Sequence, residues 1–297
     1  MTGLDHREAG AQPSTLVLQS CAFADRPEQR PAWLKACQES VARWAERSGY
    51  SYRLEGDALF ARNPAWLNAK LAGRGPIKSD VARLRWAREA LKRYERVVWL
   101  DADVLIFSPE RFKPCALLRA RREGAEQAKK GAPGELTTSG GFLFGLERWV
   151  QPHKKGLRYG WQVYQNLCNA LCVFERGNPF LEFYLYSAES IISRIDAEYI
   201  APQVIGPKLL TAQNNLTQLP CTTLLGSASV DLLIDLSEGE GPALTEMVRR
   251  LDQDPPEERC VALNLCGSLV GRTSHSGERL DEARLESAIH YLLARGL

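Results

Sequence analysis

Three short apolar runs separated by helical stretches fill the first hundred residues, and that order constrains the fold more than any other feature. Thr15 to Phe23 (T-L-V-L-Q-S-C-A-F) is short, continuous and β-branched enough to predict a buried strand. Turn-rich residues follow, then Pro31 at the first turn of a helix whose apolar spacing runs from Trp33 to Ala45. Ser51 to Leu54 predicts a second strand, and Pro64 to Leu71 a helix ended by Gly73 and Gly75. Another helix is expected to open with Ser79 or Asp80 as its N-cap and to run to about Tyr94, burying Val81, Leu84, Ala87 and Leu91. Val97-Val98-Trp99-Leu100 is the third strand. This alternation predicts an α/β fold with a mostly parallel central sheet flanked by helices. Such sheets bind ligands beyond the carboxyl ends of their strands, so chemistry is expected just after Leu100.

The second half is less regular. Arg121 to Gly134 reads as a charged loop, Ser139 to Glu147 as a strand, and Gln151 to Tyr159 as a second, basic loop. Asn169 to Phe174 and Val261 to Cys266 predict strands; Pro179 to Ile195 and Asp281 to Ala294 predict helices. No repeat or low-complexity linker divides the chain. The expectation is one domain over 14–297, with inserted loops near 116–136 and 148–162 and a flexible N-terminus over 1–13.

Composition narrows the function classes. Among 297 residues, 38 Lys and Arg face 36 Asp and Glu, a net charge of +2 that excludes nucleic-acid binding through bulk charge. A hydrophobic fraction of 44% excludes a disordered chain. No apolar run approaches the roughly 20 residues of a spanning helix, and the polar N-terminal segment lacks the pattern of a secretion signal. The 8 cysteines include no C-x-x-C, and Cys168 and Cys172 lack a second pair at zinc spacing, so free thiols are expected. These features predict a cytoplasmic protein, compatible with peripheral attachment at the inner membrane face.

Asp101-Ala102-Asp103 follows the third strand directly. Two carboxylates two residues apart in extended backbone point the same way and can share one cation, and oxygen-only ligation suits Mg²⁺ or Mn²⁺. Charges embedded in V-V-W-L-D-A-D-V-L-I-F do not read as a solvated loop. The same pattern opens haloacid-dehalogenase phosphatases, where Asp101 would be a nucleophile served by Lys208 and by Asp231 with Asp235. However, that pattern normally begins its domain, and Asp231-Leu-Leu-Ile-Asp235 reads as an edge strand.

Upstream, Lys78-Ser79-Asp80-Val81-Ala82-Arg83 places a carboxylate and a guanidinium at i and i+3 on one helix face. They can grip sugar hydroxyls and an anionic leaving group, or form an ordinary surface ion pair at a helix start. S-D-x-x-R followed by a hydrophobic strand and D-x-D resembles the sugar-binding region of retaining GT-A glycosyltransferases, especially glycosyltransferase family 32. Y-E-R-V-V-W-L-D-A-D-V-L-I-F is also similar to the glycogenin-like family 8. Gly141-Phe-Leu-Phe-Gly-Leu-Glu147, Asn169-Ala170, Gly177-Asn178-Pro179-Phe180 and Gly206-Pro207-Lys-Leu-Leu-Thr211 follow in the family's order.

The chain departs from the family in its longer Arg83-to-Asp101 spacing and in Arg96-Val-Val-Trp99 where a Gly-Gly-x-Tyr is usual. It also lacks the C-terminal His and Trp, keeping Gly267 and Ser268. The resemblance implies a single GT-A (Rossmann-like) domain that moves a sugar from a nucleoside diphosphate to an acceptor hydroxyl. A UDP-sugar is favoured as donor, with a GDP-sugar as the alternative; retention is implied, and the acceptor is a bacterial surface polysaccharide or glycoconjugate. It implies Mn²⁺ or Mg²⁺ on Asp101 and Asp103, with Asn264 or Ser268 as third ligand and His275 as the weaker option.

Asp80, Arg83, Asp101 and Asn169 would then be catalytic. Gln19, Ser20, Lys78 and Ala102 would join Asp80, Arg83, Asp101 and Asp103 around the donor, with the nucleoside near Gln19 and Ser20. Two other readings remain: a protein that holds a nucleotide sugar without transferring it, and a sugar nucleotidyltransferase. The latter lacks its Gly-rich phosphate loop after the first strand.

Overall fold

A computed structural model describes residues 14–129, 141–155 and 158–297. Strand β1 (Thr15–Ser20) leads to helix α1 (Ala32–Arg47) and strand β2 (Ser51–Glu55); helices α2 (Ala65–Lys70) and α3 (Gly75–Ala90) return the chain to β3 (Arg96–Leu100). After a short β4 (Val104–Ile106) and helix α4 (Pro114–Lys129) come two long strands, β5 (Phe142–Lys155) and β6 (Arg158–Glu175). Helices α5 (Pro179–Arg194) and α6 (Pro207–Thr217), strands β7 (Cys221–Thr222) and β8 (Leu225–Ser227), helices α7 (Val230–Glu238) and α8 (Pro242–Leu251), strand β9 (Ala262–Asn264) and helix α9 (Glu282–Arg295) complete the chain.

Among the described residues, the strands form a six-stranded sheet in the order β2-β1-β3-β6-β5-β7 and a three-stranded sheet in the order β4-β9-β8. In the main sheet β1–β2, β1–β3 and β5–β7 are parallel, while β3–β6 and β5–β6 are antiparallel. Leu16–Leu18 of β1 and Val97–Leu100 of β3 are continuous apolar runs because both faces of these strands are covered. Leu16, Leu18, Val97 and Trp99 pack against Val81, Leu84, Leu181 and Tyr184 of α3 and α5. The alternate residues Val17, Val98 and Leu100 pack against Val41 and Trp44 of α1, and against Val104, Ile106 and Ala262 of the second sheet. The eight cysteines are free, six of them buried.

Four sequence expectations need correction. First, α3 starts at Gly75, with Pro76 in its first turn, so Ser79 and Asp80 lie inside the helix rather than at its cap. Gly75 and Pro76 open a helix here, where Gly73 and Gly75 had read as terminators. Second, the expected insertion near 116–136 is helical through Lys129, and the rest of it lies outside the described residues. Third, the one near 148–162 is the far half of the β5–β6 hairpin, paired in register from Gly145 with Cys168 to Lys155 with Arg158. Fourth, Asp231–Asp235 is helical: the Ser229 hydroxyl accepts the Leu232 N–H and caps α7. The expected N-terminal segment 1–13 lies outside the described residues.

Candidate active site

The chain crosses from one sheet to the other at Asp101-Ala102-Asp103. This is a turn, closed by the Val104 N–H donating to the Asp101 carbonyl at 3.2 Å, rather than the extended segment expected from sequence. Asp101 follows β3 of the main sheet and Asp103 precedes β4 of the second. The backbone of Asp101 is fixed from two sides. Its N–H donates to the Ala170 carbonyl at 3.0 Å, and its carbonyl accepts from Gln19 Nε2 at 2.9 Å.

Arg83 lies at the centre of the polar network. Its Nη1 donates to the Asn169 carbonyl and forms an ion pair with Asp101 Oδ1, both at 2.8 Å, and its Nη2 sits 3.0 Å from Asp80 Oδ1. The guanidinium also lies over the Trp99 ring, 4.7 Å from its centroid, and Trp99 Nε1 donates to Asp101 Oδ1 at 2.8 Å. Arg83 is only 7% exposed, so the surface ion pair considered from sequence is instead a buried cluster. Burial opposes the charge of Arg83, but Asp101 and Asp80 outweigh it and raise its pKa above the ordinary range. Burial raises the Asp80 carboxyl, with Arg83 opposing.

Asn169 enters the network through a bulge. Phe144 pairs with Cys172 but Gly145 pairs with Cys168, so residues 169–171 of β6 have no partners on β5. Bulges of this kind re-aim side chains beside active sites. Here Asn169 Nδ2 donates to Asp80 Oδ1 at 2.8 Å while its carbonyl serves Arg83. Gly206 packs so closely on this amide that an added Cβ would sit 2.9 Å from Asn169 Nδ2. That contact explains a glycine at the first position of G-P-x-x-L-T.

Asp103 is held from the second sheet: the Gly267 N–H donates to its Oδ2 at 2.9 Å. Gly267 has no room for a side chain, because a Cβ would lie 2.5 Å from the Trp33 ring. Burial and the neighbouring charge of Asp101 raise the Asp103 carboxyl to about 6.

These residues border a cleft of about 840 Å³ lined by Asp80, Arg83, Asp101, Asp103, Asn169, Asn264 and Ser268, with Glu147, Trp149 and Cys168 from the hairpin. Arg74, Tyr199 and residues 200–203 form its other wall. The structure thus brings together seven of the residues selected from sequence. Asn264 and Ser268 reach it from β9 and from the turn that follows; Asn264 Oδ1 accepts the Cys266 N–H at 2.8 Å.

The remaining selected residues do not line the cleft. Lys78 places its ammonium over the Phe60 ring at 4.7 Å. Gln19 is fully buried, bridging the Asp101 carbonyl and the Tyr52 hydroxyl. Ser20 ends β1, and Ala102 packs into the core beneath the second sheet. His275 is held away from the cleft by Asp231, which accepts its backbone N–H and faces its Nδ1, each at 2.9 Å.

The phosphatase constellation is not assembled. Asp235 Oδ2 accepts the Ala243 and Leu244 N–H groups and caps α8, at 2.6 and 3.0 Å. Neither Asp231, Asp235 nor Lys208 lines the cleft that holds Asp101.

Sequence reading missed Glu147, Trp149, Cys168 and the Arg74–Tyr199 wall. Glu147 and Trp149 carry a legible signal, since strand alternation from Gly145 puts 145, 147 and 149 on one face. The wall carries none: Arg74 reaches across to donate to the Ile200 carbonyl, a contact distant in sequence.

Among the described residues, no three His, Cys, Asp or Glu side chains converge as a closed metal site. Asp101 and Asp103, with the neutral oxygens of Asn264 and Ser268 on the same cleft, offer an open, all-oxygen set. That set fits a hard divalent ion whose remaining positions go to water or phosphate. Burial first, and then the charge of Asp101, disfavour the ionised Asp103 carboxylate, and a cation placed between the two acids would offset the second effect.

No family model matches the chain, and no curated protein sequence does. Among solved structures it is similar to a glycosyltransferase involved in the glycosylation of the major capsid of PBCV-1, with 13% identity and a TM-score of 0.40 over 94% of this chain and 98% of that one. It is similar to apo mouse xyloside xylosyltransferase 1, with 11% identity and a TM-score of 0.39 over 87% and 99%. A third similarity is to mannose-1-phosphate geranyltransferase from Thermus thermophilus, with 15% identity and a TM-score of 0.27 over 62% and 66%.

Proposed function

We propose that the cleft transfers a sugar from a nucleoside diphosphate to an acceptor hydroxyl. The observation that carries this reading is the convergence of the S-D-x-x-R and D-x-D residues: Asp80, Arg83 and Asp101 form one network with Asn169, and Asp103 borders the same cleft. The difficulty in such a transfer is the negative charge that builds on the departing diphosphate. A divalent ion held by Asp101 and Asp103, with Asn264 or Ser268 beside them, would neutralise that charge.

Arg83 is committed to Asp80, Asp101 and Asn169, so its first task is to hold Asp101 in place; its charge also favours an anion in the cleft. Asp80 and Asn169, fixed against each other, present oxygen and amide groups to the donor's hydroxyls. In this reading the donor is a UDP-sugar ahead of a GDP-sugar. Retention and a bacterial surface polysaccharide or glycoconjugate acceptor are carried by the family resemblance alone.

Thermal-shift screening of UDP- and GDP-sugars with and without Mn²⁺ tests the reading. The expected result is a rise in melting temperature that needs both nucleotide and metal, with slow release of free sugar and nucleoside diphosphate. Binding without any release would favour a nucleotide-sugar-binding protein. Rapid turnover of p-nitrophenyl phosphate would favour the phosphatase.

A further inference from the structure

The cleft wall that carries Tyr199 is built onto the same helix as the polar network. Arg74, Ile77, Asp80 and Arg83 recur every three residues and all line the cleft, so α3 runs along it. From Gly75 to Asp80 the helix rises roughly 7.5 Å, which sets the anchor of the wall more than one turn away from Asp80. That anchor is Arg74, which donates from Nη1 to the Ile200 carbonyl and from Nη2 to the Glu198 carbonyl at 3.4 Å. Ile200 itself is buried in the core. The far end of the wall is also tied, because the Tyr184 hydroxyl donates to the Ile205 carbonyl at 2.8 Å and Gly206 packs on Asn169. Between the two ends Gln203 lines the cleft with a φ of +62°, a strained conformation for a residue other than glycine.

On this pinned backbone Tyr199 is 72% exposed, with its ring on the cleft. Trp149 lines the hairpin side, next to Arg148 and its buried ion pair with Asp254. Each ring has a carboxylate beside it, Glu198 and Glu147 respectively. Among the described residues neither carboxylate makes a hydrogen bond or an ion pair. An aromatic face accepts the C–H face of a sugar ring, while a carboxylate accepts hydrogen bonds from its hydroxyls. A backbone fixed beforehand lowers the ordering cost of such binding.

Charge narrows the ligand. Asp80, Asp101, Asp103, Glu147 and Glu198 line the cleft against Arg74 and Arg83, and Arg83 is committed to Asp80 and Asp101. A divalent ion on Asp101 and Asp103 would leave Glu147 and Glu198 uncompensated, and a donor diphosphate adds further negative charge. A phosphate, uronic acid or sialic acid on the acceptor would meet repulsion there. Resting on the glycosyltransferase reading, we propose that Tyr199 and Trp149, with Glu198 and Glu147, form the acceptor subsite, and that it takes a glycan ending in an uncharged sugar.

The test presents the full chain, with Mn²⁺ and either UDP or GDP, to an array of glycans with neutral, uronic acid, sialic acid and phosphorylated ends. Wild type should be retained by neutral ends. The best of these, in solution, should bind Tyr199→Ala and Trp149→Ala at least about fivefold more weakly, the scale of truncating an aromatic anchor. Tyr199→Phe, which keeps the ring, should bind like wild type. Tyr199 is exposed, so both of its variants should melt within a few degrees of wild type. Glu198→Lys should shift retention toward acidic ends. Preference of wild type for acidic ends, no shift with Glu198→Lys, or a loss below about fivefold in either alanine variant overturns the inference. So does retention by no glycan, and in each case a chain that cleaves UDP- or GDP-sugars leaves the glycosyltransferase reading standing. A chain that binds no nucleotide sugar overturns that reading, and the inference with it.

Discussion

Arg83 Nη1 stands 2.8 Å from Asp101 Oδ1, joining the helix before the third strand to the turn after it. The guanidinium also holds Asp80, and all three side chains are largely removed from water. Removing it would leave two carboxylates facing each other without compensation. Arg83→Ala is therefore expected to lower stability by about 3–5 kcal/mol, the usual cost of breaking a buried pair from one side, and to abolish sugar release as well. Urea denaturation read by tryptophan fluorescence measures the first effect. A loss below about 1 kcal/mol, typical of an exposed pair, would contradict the buried cluster.

The Asp103 carboxylate accepts the Gly267 N–H, which an amide oxygen can also accept. Asp103→Asn should thus keep the fold, with melting temperature in EDTA unchanged to within a few degrees. It should lose the gain in UDP affinity that Mn²⁺ gives wild type. Titration calorimetry with and without EDTA measures that gain, and equal affinities for wild type in both conditions would remove Asp101 and Asp103 as metal ligands.

The contact between Gly206 and Asn169 predicts a coupling. A methyl at 206 must displace the Asn169 amide from Asp80, so Gly206→Ala should cost about 1–3 kcal/mol as an overpacking change. Where Asn169 is already alanine, the added methyl has nothing to displace. The two substitutions should then combine to less than their sum, as expected for residues in contact. Strict additivity in a double-mutant cycle would refute the contact.

Glu175 predicts a pH dependence away from the cleft. Burial would raise its carboxyl, but Arg96, the Gly141 N–H and Arg122 together hold it below the ordinary value. A carboxyl lowered by folding contributes stability that is present above its unfolded pKa of about 4.3 and is lost as pH falls through the folded value. Glu175→Gln should lower stability at pH 7 and should flatten its decline below about pH 4. Denaturation curves for both proteins at several pH values measure this, and identical slopes would assign the acid sensitivity to other groups.

The parts of the site written in local sequence were legible, and the parts that depend on distant pairing were not. Val81, Leu84, Ala87 and Leu91 mark one face of α3, which fixed Asp80 and Arg83 relative to the strand and D-x-D that follow. The start of the same helix was misread because glycine both ends and begins helices, and Pro76 decides which. In V-D-L-L-I-D-L a short apolar run fits strand and helix alike; the Ser229 cap settles it as α7. The far half of the hairpin looked like a loop because Pro152, His153 and the basic residues around them suit one. Its strand character comes from the pairing of β5 with β6, which no local pattern records.

The turn from Asp101 to Asp103 has a consequence for assembly. The motif is complete once residue 103 has been made, but one of its carboxylates is oriented by the C-terminal third of the chain. The Gly267 N–H supplies the hydrogen bond, β9 pairs with β4, and Trp33 closes over Gly267. A growing chain that ends before Ala262 would carry both acids without the backbone that aims the second. The second carboxylate of the pair is therefore aimed only when residues from the two ends of the polypeptide, Trp33 and Gly267, come together.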